Sequence, residues 1–153
     1  MLSKKVKHGR DYAINGVRVA QMAAAVAESM HYHHGEVSMQ ETIVRMAQNI
    51  VGVNNVPYVE GLGGFGNRMD SPKETHGQAR YIFVKHGQLL ERLFPRADMP
   101  VLPVLLEEGD EAEAVHLVPP VPLLMFNGGG GIGTGWSTNV LPRHPLEVCD
   151  VTL

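Results

Sequence analysis

The chain has 153 residues, 44% of them hydrophobic and 19% charged, a globular composition with room for one domain and a real core. No stretch approaches about eighteen uninterrupted apolar residues, so no membrane-spanning helix is expected. Met1-Leu2-Ser3-Lys4-Lys5 lacks the apolar run of a secretory signal. The single cysteine, Cys149, excludes an internal disulfide framework and a multi-cysteine zinc site, and a reducing intracellular compartment is the expectation. The formal net charge of −3 speaks weakly against a polyanionic partner. Its distribution is uneven: residues 1–102 carry twelve Lys/Arg against nine Asp/Glu, while Glu107, Glu108, Asp110, Glu111 and Glu113 crowd one short stretch. The first two thirds can therefore face a polyanion while the acidic stretch faces water or protein; a solvated mixed-charge surface is the alternative.

In chain order, residues 1–17 read as a short basic strand or arm with a turn at Asn15-Gly16. From Arg18 to about Met30, Val19, Met22, Ala23, Val26 and Met30 recur on one face of an alanine-rich helix. His31-Tyr32-His33-His34-Gly35 breaks the pattern, and Ser38-Met39-Gln40-Glu41 then has the form of a capping box. The helix that follows is expected to bury Ile43, Met46, Ala47 and Ile50 and to turn Thr42, Arg45, Gln48 and Asn49 outward. Two helices joined by a short glycine-containing link make a helix-turn-helix candidate over residues 18–50. The free face of its second helix carries the amide, hydroxyl and guanidinium groups that read or brace DNA. An ordinary helical hairpin fits the same pattern.

Residues 52–73 read as loop and short strand, and Arg80-Tyr81-Ile82-Phe83-Val84 as a strand. Gln88 to Phe94 reads as a helix with Leu89, Leu90, Leu93 and Phe94 inward, stopped by Pro95. Prolines punctuate the remainder, Leu123-Leu124-Met125-Phe126 reads as a short buried strand, and Gly128-Gly129-Gly130-Gly131 leads into Ile132-Gly133-Thr134-Gly135-Trp136. The glycine run lacks both the Gly-Lys-Ser/Thr ending of a phosphate loop and the dinucleotide fingerprint, so no nucleotide site is expected there. His31, His33 and His34 have no Cys or carboxylate at ligand spacing, and no metal site is expected.

From Tyr32-His33-His34-Gly35-Glu36 onward the chain resembles the DNA-cleavage core of type IIA DNA topoisomerases. The resemblance continues through Thr42-Ile43-Val44-Arg45-Met46-Ala47-Gln48-Asn49, Val53-Asn54-Asn55, Gly64-Phe65-Gly66-Asn67-Arg68 and Ala79-Arg80-Tyr81-Ile82. It ends in Asn127-Gly128 and Gly131-Ile132-Gly133-Thr134-Gly135-Trp136. The blocks keep the family's order and nearly its spacings over residues 4–145. The paired histidines resemble the single-chain eukaryotic and viral branch more than the bacterial subunits.

The resemblance implies an α+β fold: a CAP-like winged-helix domain over residues 1–118, then the first strands of a tower domain over 119–153. It implies that Tyr81 attacks a DNA phosphodiester to form a 5′-phosphotyrosyl link, that Arg80 and His34 surround that phosphate, and that Ile132 wedges between base pairs. His33, Ser38, Gln40, Arg45, Gln48, Asn49 and the arm residues Lys4, Lys5 and Arg10 would then brace duplex DNA. Residue chemistry agrees. A phenol with a pKa near ~10 is a poor nucleophile at neutral pH without help, and an adjacent cation and imidazole favour the phenolate and offset charge at phosphorus. Arginine's planar fork grips two phosphate oxygens. An apolar side chain between glycines suits a wedge, because the small neighbours let the backbone approach the groove.

Taken singly, these residues have blander readings: Tyr81 a half-buried strand tyrosine, Arg80 a surface cation, Ser38 a helix cap, Ile132 a core residue. The parent activity implied is ATP- and magnesium-dependent passage of one duplex through another. It would be carried out by a homodimer in the nucleus or in the cytoplasm of a virus-infected cell, with no membrane partner. Magnesium, ATP and the carboxylate-rich Toprim-type metal-binding domain are expected outside these residues, with no cofactor within them, so the piece alone is expected to be inactive. A non-catalytic winged-helix module for double-stranded DNA is the alternative. Two departures from the family stand out. Ser71 to Gln78 is one residue longer than the usual segment before the tyrosine, leaving the role of Lys73 open. The glycine run replaces the family's Asn-Gly-Ala-Glu-Gly.

Overall fold

A computed structural model describes residues 16–70, 75–107 and 109–152; Lys4, Lys5, Arg10 and Lys73 lie outside them. The alanine-rich stretch forms α1 (Val19–Ser29), and α2 (Glu36–Ala47) follows after a link in which His31 has a φ of 49°. Val19 and Ala23 of α1 meet Ile43, Val44 and Ala47 of α2, the helical spacing that puts one stripe of each helix into a shared core. Val59 and Val84 of a three-stranded antiparallel sheet, with Phe65 and Ile82 just outside its strands, close that core. Its strands are β1 (Val17–Arg18), β2 (Val59–Leu62) and β3 (Phe83–His86), in the order β1-β3-β2. Glu60 stands opposite Lys85 in the β2–β3 register, and their charges meet at 2.7 Å. The α+β helix-turn-helix on a small sheet agrees with the expected winged-helix fold.

Four local expectations are corrected. Helix α2 takes its N-cap at Gly35, not Ser38: Ser38 lies within its first turn, no side chain caps it, and the Ser38 N–H donates to Gly35 O at 3.1 Å. Glu36 supplies the acidic group that favours a helix start, two residues ahead of the capping-box match. The helix also ends earlier, at Ala47, where the Asn54 amide donates to the carbonyls of Arg45 and Gln48 and Tyr58 N–H donates to Met46 O. The early stop rotates Met46 to the surface and Gln48 into the core, where it is 2% exposed.

The strand expected over Arg80–Val84 starts only at Phe83; Ala79, Arg80 and Tyr81 form a turn closed by Tyr81 N–H donating to Gln78 O at 2.8 Å. The expected strand at Leu123–Phe126 is instead a one-turn helix, α4 (Leu123–Asn127), entered from Pro122. Four apolar residues carry no usable period to tell a strand from a helical turn.

Helix α3 (Gln88–Leu93) ends before Pro95 as expected. A hairpin of β4 (Val104–Glu107) and β5 (Asp110–Ala114) then carries the acidic stretch. After α4 come a second two-stranded ribbon, β6 (Gly129–Gly133) with β7 (Trp136–Val140), and α5 (Pro145–Thr152). A second core joins Leu93, Val121, Phe126 and Val148, with Val56, Tyr58 and Leu89 packed against it, so it draws residues from both sides of position 118. None of the described helices is long and apolar enough to cross a membrane.

Asn127 ties the end of α4 to the Asn55-Val56 segment that packs on the second core. Its Oδ1 accepts from the N–H groups of Asn55 and Val56 at 2.9 Å each, and its Nδ2 donates to Val56 O at 2.8 Å. Asn55 answers by donating its side-chain amide to Phe126 O and Arg143 O. Gly128 has a φ of +71°, and a Cβ there would lie 2.5 Å from Val140 O, so the chain enters the ribbon through a conformation that suits glycine. Removing the three Asn127 bonds in Asn127→Ala is expected to lower stability by about 2 kcal/mol, and Gly128→Ala by about 1–3 kcal/mol. Urea denaturation followed by circular dichroism measures both.

Candidate nucleic-acid interface and tyrosine turn

The turn that carries Arg80 and Tyr81 is held by the start of α1. A helix leaves its first amides without intrahelical acceptors. Here Val19 N–H donates to Ile82 O and Ala20 N–H donates to Ala79 O, each at 3.1 Å. Two carbonyls that bracket Arg80-Tyr81 are thereby fixed, and the side chains between them point outward: Tyr81 is 69% exposed. The carbon of the Arg80 guanidinium lies 5.5 Å from the centre of the Tyr81 ring, in cation–π range. Arg80 Nε donates to Gln78 Oε1 at 3.0 Å. Its two terminal nitrogens make no hydrogen bond or ion pair among the described residues and form a free fork beside the phenol.

Arg80 also lines an open groove of about 420 Å³ between the turn and α2. Gln40 and Glu41 stand on the α2 wall, and His76 and Gln78 on the wall next to Arg80. The Nδ1 of His76 lies 2.9 Å from Gly77 O; the carbonyl can only accept, so this bond needs a proton on Nδ1. Gln40 is steadied by donating its side-chain amide to Glu36 at 2.9 Å. Glu41 reaches the other way, to Arg45 at 3.8 Å, one turn further along α2.

Of the residues singled out in the sequence, the structure thus brings Tyr81 and Arg80 together and sets Gln40 on the same groove as Arg80. Ser38, Arg45 and Asn49 are exposed on or just beyond α2. His34 packs edge-on against Tyr32 at 5.2 Å, and His33 Nε2 lies 3.4 Å from the Glu107 carboxylate of β4; both histidines face solvent in the link between α1 and α2. Ile132 is 94% exposed on the β6–β7 ribbon, opposite Ser137. Gln48 does not join the outward face: its side chain turns inward and donates to Phe65 O at 2.9 Å. Sequence reasoning passed over Gln78 and His76, because both fall in the segment where the chain departs from the family pattern and neither has a local signature. No three His, Cys, Asp or Glu side chains among the described residues are grouped to hold a metal ion.

Comparison with known proteins bears on the same residues. The family model for the DNA gyrase/topoisomerase IV A-subunit matches residues 5–153. DNA topoisomerase 2 of Trypanosoma cruzi is 46% identical over 131 residues, covering 86% of this chain and 11% of that protein. A putative mitochondrial DNA topoisomerase 2 of Caenorhabditis elegans is 42% identical over 135 residues, 88% of this chain and 12% of that protein. The crystal structure of the Plasmodium falciparum topoisomerase II DNA-binding, cleavage and re-ligation domain superposes with a TM-score of 0.83 at 38% identity. It covers 92% of this chain and 19% of that one. The chain spans about a tenth of the length of the two relatives, and those relatives come from the eukaryotic branch that the paired histidines resemble. With a family model matched over nearly all of its length and an exposed tyrosine–arginine turn beside its helix-turn-helix, the chain belongs to the DNA gyrase/topoisomerase IV A-subunit family.

Proposed function

We propose that these residues form the DNA-binding and cleavage portion of a type II DNA topoisomerase, with Tyr81 as its nucleophile. The observation that carries this reading is the exposed phenol of Tyr81 beside the open fork of Arg80, on a turn pinned by backbone hydrogen bonds. The Tyr81 oxygen attacks a backbone phosphorus of duplex DNA. A phosphotyrosyl bond forms to the 5′ side of the break as the phenol gives up its proton, and the P–O bond to the 3′ oxygen breaks, that oxygen taking up a proton to leave a 3′-hydroxyl. The reverse attack restores the strand, since the phosphotyrosine ester keeps the energy of the broken bond.

Arg80 supplies two donors for the non-bridging oxygens as charge builds in the transition state, and His34 approaches from the link between the helices. Half-buried Gln40 and exposed Arg45, Ser38 and Asn49, with His33 nearby and Lys4 and Lys5 besides, brace the phosphates on either side. Ile132 enters the duplex as an apolar wedge. Glycines at 130, 131 and 133 leave room for the ribbon to approach the bases.

Residues 1–118 then act as the winged-helix unit and 119–153 as the start of the tower. The described residues do not fit a magnesium site, since no ligand cluster is present among them, and none of the steps above runs through that ion. Magnesium and ATP belong to other parts of the parent enzyme, a homodimer whose Toprim-type domain faces this one across the DNA. Nuclear DNA, or DNA in the cytoplasm of a virus-infected cell, is the proposed setting.

The test combines this chain with a metal-bearing partner domain, magnesium and a nicked duplex, and traps protein on DNA with detergent. Wild-type protein is expected to give a covalent adduct that Tyr81→Phe abolishes; an adduct that survives the substitution would identify a different nucleophile. Duplex affinity is expected to fall steeply with salt and to depend little on base sequence. Arg45→Ala should shallow the slope of log affinity against log salt by about one, measured by fluorescence anisotropy over a salt series.

A further inference from the structure

Gln48 is the only polar or charged side chain among the described residues that is fully buried. It sits one residue past α2, where its own N–H still donates to Val44 O at 3.0 Å and its carbonyl accepts from Asn54, so its backbone moves with the end of that helix. Its side chain crosses the core to Phe65 O at 2.9 Å. Phe65 pairs with His76 in an isolated antiparallel bridge, and the adjacent Gly77 N–H donates to Gly64 O at 2.8 Å. Gly77 also packs too closely for a side chain, since a Cβ there would lie 2.8 Å from Ile82 Cγ2. The next residue is Gln78, whose carbonyl closes the tyrosine turn and whose side chain holds Arg80. A path of hydrogen bonds and adjoining peptide links therefore runs from α2 through Gln48, Phe65, Gly77 and Gln78 to Arg80 and Tyr81.

We propose that Gln48 is a positioning residue that ties the end of the DNA-facing helix to the tyrosine turn, so that seating α2 on a duplex sets the reach of Tyr81. An apolar residue of the same volume would fill the same space; only an amide also dictates the orientation of the Phe65 carbonyl, because the hydrogen bond is directional. The role rests on reading Tyr81 as the nucleophile, and the experiment separates the two.

Gln48→Met keeps length and volume and removes the donor. Amide hydrogen exchange on the full chain is expected to speed up by about tenfold at Gly77 and Tyr81, while the Met30 amide, bonded to Val26 within α1, changes by less than about threefold. In the wild-type chain the Gln48 side-chain amide and the Gly77 backbone amide should exchange with matching protection, a measurement that stands even if the variant does not fold. In the adduct assay, with wild type and Tyr81→Phe alongside, Gln48→Met is expected to slow adduct formation about tenfold while duplex affinity stays within about twofold.

Unchanged exchange at Gly77, or unequal protection of the two wild-type amides, would overturn the link. Adduct formation at the wild-type rate, or a loss matched by lost affinity, would overturn the positioning role. An adduct that persists in Tyr81→Phe would instead overturn the nucleophile assignment and leave the exchange result standing on its own.

Discussion

The structure turns on one exchange of hydrogen bonds: the first amides of α1 have no acceptors within their helix, and the carbonyls of Ala79 and Ile82 supply them. Each side solves the other's problem. The helix start is satisfied without a capping side chain, since Arg18 at that position provides none, and the chain between the two carbonyls is forced out of the sheet. An Arg-Tyr pair on a regular strand would send its side chains to opposite faces. On a turn both project to solvent, and the guanidinium comes to rest over the phenol ring. The chemistry proposed for Tyr81 thus depends on a backbone contact between elements some sixty residues apart in the chain.

The same logic explains which parts of the fold could be read from the sequence. Helices α1 and α3 follow from apolar spacing, alanine content and a proline stop, all local signals. The extent of α2 does not. Ser38 and Glu41 match a capping box, yet the chain gives its N-cap to Gly35, three residues earlier. Gln48 shows a deeper limit. A glutamine near a helix end reads as solvent-facing, and its burial comes from a partner seventeen positions away, which no periodicity records. The Tyr81 turn was hidden for a similar reason: Tyr-Ile-Phe-Val has strand composition, and the contacts that bend its first residue outward belong to α1.

The family blocks identified Arg80, Tyr81 and Ile132 as residues of interest without any knowledge of how they are held. What they could not convey is the support around them. Gln78 and His76, which flank Arg80 in the groove, lie in the very segment whose length and composition depart from the family. A surface that keeps its arginine and tyrosine while changing their neighbours retains the groups proposed to react and varies what holds and screens them.

The β6–β7 ribbon shows how far exposure alone can be interpreted. Directly opposed residues of an antiparallel pair share a face and successive residues alternate. Ile132, opposite Ser137, therefore lies on one face, and Trp136, opposite Gly133, on the other. Both are large, apolar and almost wholly exposed, so exposure cannot decide between them as a wedge. Their neighbours differ only in degree. The Trp136 face carries Gly129, Gly131, Gly133 and Thr138, and the Ile132 face carries Gly130, Ser137 and Asn139, two polar side chains beside the isoleucine against one beside the tryptophan. The Asn127 clasp fixes the base of this ribbon to the core shared with α3.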